Sequence, residues 1–301
     1  MNFLPISIIA YALNGGSILV DKILIKTSLP KPLTYTFYVN LLQILALFLI
    51  PFGFALKIDL AFFLAVFAGL SGVFAFYTLF SSLKHNEASI VGPLVGAFNP
   101  LFALILGGLF LGQILSLDQY LAFFLLMIGA LVITANLWRK KGTFSKKFIW
   151  IVASGFFFGL SYVLIREAFL QSNFLNGFIV SRVASALIVL FFLIPGSFRK
   201  QIISFEKSKD GLTSKRTLGL LIAGQVMGGL SVTLITFGVS LASPALVNSL
   251  FGVQYLVILI ASFLLAKKHP QLLDEDLKKN IIIQKIIGAV IISIGLYLLA
   301  K

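Results

Sequence analysis

Ten apolar stretches, most of them twenty residues or longer, follow one another along this chain. That repetition restricts the fold more than any other feature. A helix needs roughly 20 mostly apolar residues to cross hydrocarbon. In lipid, every backbone N–H and C=O must also find its partner within the protein. The stretches lie at 3–26, 32–56, 60–83, 88–112, 117–138, 148–170, 174–195, 216–240, 244–266 and 281–300. They do not alternate in and out, as barrel strands of about ten residues would. The chain is 59% hydrophobic and 11% charged, against about half and about a quarter in soluble domains. Too few charges remain to cover a soluble surface. The expected fold is an all-α integral membrane protein with ten transmembrane helices. Met1–Ile6 carries no cationic leader and no small-residue cleavage site follows the first apolar run, so that run is expected to remain as a helix.

The charges divide the chain. Trp138–Lys147 carries five cations in the nine positions 139–147. This places one five-helix unit at 1–138, a basic linker at 139–147, and a second five-helix unit at 148–301. The net charge is +14, but the cations form no domain, which argues against nucleic acid. They fall in loops, where they meet anionic headgroups of the lipid bilayer. The loops after segments 1, 3, 5, 7 and 9 hold 20 of the 24 Lys and Arg. The positive-inside rule then puts these loops in the cytoplasm and both termini outside the cell (inner) membrane.

The two units echo each other. At one offset Gly15 meets Gly159, Lys22 meets Arg166 and Pro51 meets Pro195; at a second offset Gly69 meets Gly224 and Asn99 meets Gln254. The eleven-residue difference falls in Ser197–Arg216. Five helices per unit is odd, so the second unit enters from the opposite face. That makes an inverted-topology repeat, a common build for secondary transporters.

One hairpin carries a recognisable pattern: Ala88-Ser89-Ile90-Val91-Gly92-Pro93-Leu94, then Asn99-Pro100-Leu101, then Gly112-Gln113, then Ser116-Leu117-Asp118-Gln119-Tyr120, then Ile128-Gly129-Ala130. The second unit is similar at Ala242-Ser243-Pro244-Ala245-Leu246 and at Ile287-Gly288-Ala289. This resembles the EamA family of the drug/metabolite transporter superfamily. The chain departs from it at Gln113, where the family has glutamate, and at Lys267-Lys268. The resemblance implies ten helices and alternating-access export or exchange of small metabolites, amino acids or drugs. It also implies cytoplasmic termini, as several relatives are described, opposite to the charge count.

A transport site needs polar groups at membrane depth that face protein or water. The first segment carries Ser7, Tyr11, Asn14 and Asp21 on one stripe. Asn14 reads as a substrate contact or as glue between helices. The fourth carries Gly92, Gly96 and Asn99 beside Pro93 and Pro100; Pro100 frees a carbonyl one turn back, either for a site or for a packing kink. Asn99 and Gln254, as repeat mates, would face one another across a central cavity. Asn248, Gln254 and Tyr255 give the ninth segment a polar, aromatic face. Arg182 is the one full charge placed well inside a segment. It could hold a substrate carboxylate or phosphate, pair with Glu167, or snorkel. Tyr77, Tyr162 and Gln225 complete the candidate substrate-binding set. Arg166-Glu167 reads as interfacial. No acid is expected at mid-depth, so a facilitator or exchanger stands beside a proton antiporter.

The leading function is therefore a secondary transporter of small metabolites such as amino acids. The alternative is a non-transporting membrane scaffold or a membrane enzyme. With no Cys, two His far apart in sequence, and no phosphate-cradling loop, the chain is not expected to be an enzyme or to hold a metal, cofactor or nucleotide. Its partners are a small-molecule substrate and lipid; a monomer is plausible, and the sequence does not set the oligomeric state.

Overall fold

A computed structural model describes residues 3–27, 29, 31–111, 116–141, 148–203, 214–242, 247, 250–268 and 278–300. Among these residues the regular structure is all helical. The helices are α1 Phe3–Thr27, α2 Pro32–Leu41, α3 Leu60–His85, α4 Ala88–Leu111, α5 Leu117–Lys141, α6 Phe148–Gln171, α7 Phe174–Leu190, α8 Gly196–Ile203, α9 Ser214–Leu241, α10 Phe251–Lys268 and α11 Lys279–Ala300. Eight helical stretches are long and apolar enough to cross a membrane. Two more apolar stretches, Tyr120–Ile133 and Phe251–Leu265, are shorter. The chain is a multi-pass membrane protein.

Local chemistry sets several boundaries. Pro32 opens α2, where a missing N–H costs nothing. Asp59 caps α3 by accepting from Phe62 N at 3.1 Å, and Asn173 caps α7 by accepting from Asn176 N at 2.8 Å. The second segment does not run as one α-helix over 32–56. It tightens into a 3₁₀ helix over Leu42–Phe52, and Pro51, expected to close the segment, lies inside that turn. Two competitors to the α ladder sit here. Asn40 Nδ2 donates back to Thr36 O at 2.9 Å, and Pro51 has no N–H to give. Gly53, at φ +106°, then ends the helix in a conformation that a side chain would strain. The seventh segment likewise ends in a short 3₁₀ turn, Phe191–Leu193. α8 was not expected; it forms inside the stretch read as a linker. α5 continues through Lys141, so Arg139–Lys141 of the basic stretch are helical, while 142–147 lie outside the described residues.

The packing follows small residues, because lipid tails offer no hydrophobic drive between helices. α3 runs antiparallel to α6. Ser154, Ser71 and Ser161 bridge them, through Ser154 Oγ to Ala75 O at 3.2 Å, Ser71 Oγ to Phe157 O at 2.8 Å and Ser161 Oγ to Ala68 O at 2.9 Å. α1 runs antiparallel to α9 in the same manner, with Ser17 Oγ donating to Gly224 O at 3.3 Å. α5 crosses α11 at two glycines. A Cβ on Gly129 would lie 3.0 Å from Gly288 O, and one on Gly288 would lie 3.0 Å from Gly129 O. Ile292 covers the first glycine and Ile133 the second. The bundle's outer face is apolar, with Phe48 and Phe52 each 76% exposed.

Candidate functional site

The centre of the bundle is where α1 meets α10 and α6 meets α4. Gly15 lets α1 approach α10; a Cβ there would stand 3.0 Å from Gln254 O and 2.9 Å from Val257 Cβ. Gly159 does the same for α6 on α4, with Asn99 O at 2.7 Å and Phe102 Cβ at 3.2 Å. Gln254 and Asn99 thus occupy corresponding places against corresponding glycines.

Polar side chains gather at these crossings. Asn14 Nδ2 donates to Gln254 Oε1 at 2.6 Å. Tyr11 packs its ring on Phe251, with centroids 4.5 Å apart, and Phe251 stacks in turn on Tyr255. The phenols of Tyr162 and Tyr255 are electrostatic neighbours of Tyr11. Tyr255 lies against Gly96, whose missing side chain leaves room for the ring; a Cβ there would be 3.0 Å from Tyr255 Cε1. Pro100 has no N–H, so it leaves the Gly96 carbonyl without its helical donor. Among the described residues, two buried oxygens here have no hydrogen-bond partner, Asn99 Oδ1 and Tyr255 OH. An unsatisfied buried acceptor is costly, about 1–3 kcal/mol, and is unusual enough to need a reason. Asn99 and Gln254, matched in place, differ in bonding: Gln254 has taken Asn14 as its partner, whereas Asn99 Oδ1 has none among the described residues.

Arg182 sits half-buried on α7. Its guanidinium donates to Gln43 Oε1 at 3.2 Å and to Thr236 Oγ1 at 3.1 Å, and lies 5.0 Å from the Phe178 ring centroid. Its Nε is buried and has no partner among the described residues. The hydrogen bonds go to neutral groups on α9 and on the 3₁₀ helix after α2, not to Glu167. Arg182 is also an electrostatic neighbour of Tyr162. The site residues on α1, α6, α7 and α10 therefore converge. Tyr77 does not join them; it meets Trp150 edge to face at 5.7 Å. Gln225 donates to Tyr35 OH at 3.4 Å, in a separate cluster. Asn248 lies outside the described residues.

The helix ends hold what sequence reasoning missed. Lys22, counted above as a loop cation, is 2% exposed. Its Nζ donates to Leu83 O at 2.7 Å and Asn86 O at 2.8 Å, the last carbonyls of α3. Arg166, expected at the interface, donates to Val239 O at 2.7 Å and Ser240 O at 3.0 Å, the last carbonyls of α9. A cation at a helix C-terminus satisfies orphan carbonyls and favours the helix dipole. The matched positions of Lys22 and Arg166 were the available signal. Lys285 is also buried rather than in a loop; its Nζ pairs with Glu87 Oε2 and donates to Ser89 Oγ at 2.7 Å. A groove of about 910 Å³ opens between α10 and α11; Ser89, Tyr255, Ser262, Lys285, Ser293 and Tyr297 are its polar lining. Among the described residues, Tyr255 is the predicted site residue that reaches it.

Residues 4–135 match the model of the EamA-like transporter family. A solved structure described as "Crystal structure of protein" shares 16% identity with this chain, covers 95% of it and 97% of its own length, and superposes with a TM-score of 0.57. At that identity it shows a common fold. No curated protein matches.

Proposed function

We propose, from the premise that residues 4–135 belong to the EamA-like transporter family of the drug/metabolite transporter superfamily, that the chain is a secondary transporter moving small metabolites such as amino acids by alternating access. Its ten apolar helices form two five-helix units, 1–138 and 148–301, of inverted topology. The observation that carries this reading is the pairing of contacts. Gly15 on Gln254 corresponds to Gly159 on Asn99, and the Lys22 cap of α3 corresponds to the Arg166 cap of α9. α1 lies parallel to α3 at the Lys22 cap and α3 antiparallel to α6, so the two caps lie at opposite ends of the bundle. Such an arrangement supports a centre that opens to one face at a time.

The substrate contacts are Tyr11, Asn14, Asn99, Tyr162, Arg182, Gln254 and Tyr255. Asn99 Oδ1, Tyr255 OH and Arg182 Nε are buried polar atoms without partners among the described residues, and a ligand's donors and acceptors would satisfy them. A scaffold gives no reason to keep them. Arg182 supplies the charge for a carboxylate, since its fork is fixed on one side by Gln43 and Thr236. The basic loops face the cytoplasm, and the protein resides in the cell membrane.

The test is uptake by proteoliposomes of a radiolabelled amino-acid mixture. Arg182→Ala is expected to lower uptake about tenfold, equivalent to near 1.4 kcal/mol of contact, and Asn14→Ala to lower it less. Uptake unchanged in both removes these residues from the site. The chain has no native Cys, so Ser145→Cys tests orientation: labelling by an impermeant reagent in intact cells overturns a cytoplasmic linker.

A further inference from the structure

We propose that Asp21 is a proton-binding site whose loading is tied to closure of the basic end of the bundle. This rests on the transporter reading and adds its driving ion. Asp21 lies six residues before the end of α1, inside the apolar stretch Phe3–Thr27, and is 7% exposed. Its Oδ1 accepts from Tyr35 OH at 2.5 Å. Tyr35 is fully buried, packs edge-on to Phe80 at 4.6 Å, and accepts from Gln225 Nε2 at 3.4 Å. The chain Gln225–Tyr35–Asp21 therefore joins α9, α2 and α1 through neutral groups that end on one carboxyl.

Among the described residues no cation is bonded to Asp21. On α1 itself, the Lys22 ammonium reaches the Leu83 and Asn86 carbonyls, and Lys26 lies at the last turn. α2 is preceded by Lys31 and carries Tyr38, whose OH donates to Ile202 O at 3.3 Å. α3 ends in Lys84 and His85. Before α4 stands Glu87, which is bound by Lys285 of α11. α9 has no Asp, Glu, Lys, Arg or His between Thr217 and Leu241, and the Lys residues of α10, Lys267 and Lys268, come at its end. Asp21's hydrogen-bonded partner is thus a phenol rather than a cation. A carboxylate so placed in hydrocarbon is expensive, and a bound proton removes that cost while leaving the Tyr35 bond intact through the carbonyl oxygen.

Lys22 connects this carboxyl to motion. It is the next residue, and its contacts hold α1 to the end of α3. While they are made, Asp21 is shut from the water of the basic face and takes its proton from the opposite compartment through the open centre. When they break, water from the basic face reaches Asp21, the O–H bond breaks, and the proton leaves to that face. Each cycle binds one proton from one compartment and releases one to the other. The matched position in the second unit is Ile165, so the device exists at one end only.

Purified full-length protein in lipid is examined by infrared difference spectroscopy across a pH titration. The expected result is a protonated-carboxyl C=O band that disappears as pH rises, is absent in Asp21→Asn, and changes frequency in Tyr35→Phe, which removes the phenol donor while keeping the acid. In parallel, proteoliposomes are given the labelled amino-acid mixture with and without a pH gradient. The gradient is expected to raise wild-type accumulation several-fold and to have no effect in Asp21→Asn. A wild type without the band, or a band that survives Asp21→Asn, overturns the proposal, as does gradient-driven accumulation in Asp21→Asn. If the wild type transports none of the mixture, the substrate reading fails while the band still decides whether Asp21 binds the proton.

Discussion

The two ends of the bundle are closed by the same geometry and different chemistry. At one end Lys22 of α1 caps α3; at the other Arg166 of α6 caps α9. Lys22 is buried and Arg166 half-buried, each against two carbonyls, and each comes from the helix that crosses at a glycine, Gly15 or Gly159. Around Lys22, however, stand two further ionisable devices, Asp21 with Tyr35 and Glu87 with Lys285. The positions matched to Asp21 and Glu87 are Ile165 and Ala242, which cannot ionise. Backbone packing is thus shared by the two ends, while these two titratable pairs, one of them completed by Lys285 of the second unit, gather at one. On the transporter reading proposed above, the shared frame would let either end open, and the asymmetric charge set would make the two openings energetically different.

The comparison can be broken most forcefully at Lys285. Lys285→Met leaves Glu87 without its buried counter-ion and is expected to cost about 3 kcal/mol, measured by denaturant unfolding in micelles. Adding Glu87→Gln is expected to recover part of that loss; no recovery argues that the two charges do not depend on each other. Next come the caps. Lys22→Met and Arg166→Met each strand two carbonyls, at about 2 kcal/mol apiece. Similar losses sharpen the equivalence of the ends, whereas a loss at only one end breaks it. Smaller effects are expected at the crossings. Gly159→Ala meets backbone at 2.7 Å, and Gly15→Ala meets Val257 Cβ at 2.9 Å and backbone at 3.0 Å. The first is expected to cost about 2 kcal/mol and the second about 1 kcal/mol, because the nearest backbone atom stands farther from Gly15. Gly229→Ala, with nothing within 4 Å, is expected to change stability by less than about 0.5 kcal/mol. A large loss there would mean that the outer face of α9 is itself a contact.

Much of the frame could be read from residue order. Gly15, Gly159, Lys22 and Arg166 are matched in sequence and turn out matched in contact. Asn14 and Gln254 were both placed at depth, and they bond. Lys285 is counted with a loop because it lies a turn or so inside a helix end, where sequence alone cannot distinguish a solvated loop from a buried turn; Asp21 is read on the first helix's stripe, but its Tyr35 partner is not. Lys22 shows the same ambiguity, since a long cation near a helix end snorkels or caps according to what stands opposite. The pairing of Arg182 with Gln43 and Thr236 was equally hidden, because its partners lie 139 and 54 residues away and no local period connects them.

The sequence by itself determined that this chain lives in a membrane as a helical bundle, because apolar runs of that length have no other way to satisfy their backbone. It also determined where backbones cross, because between helices in lipid the small residues decide how near they come. Only the tertiary structure decided which charges are buried and what each one meets. A helix fixes the direction of a side chain, but the polarity of the space it enters is supplied by another helix.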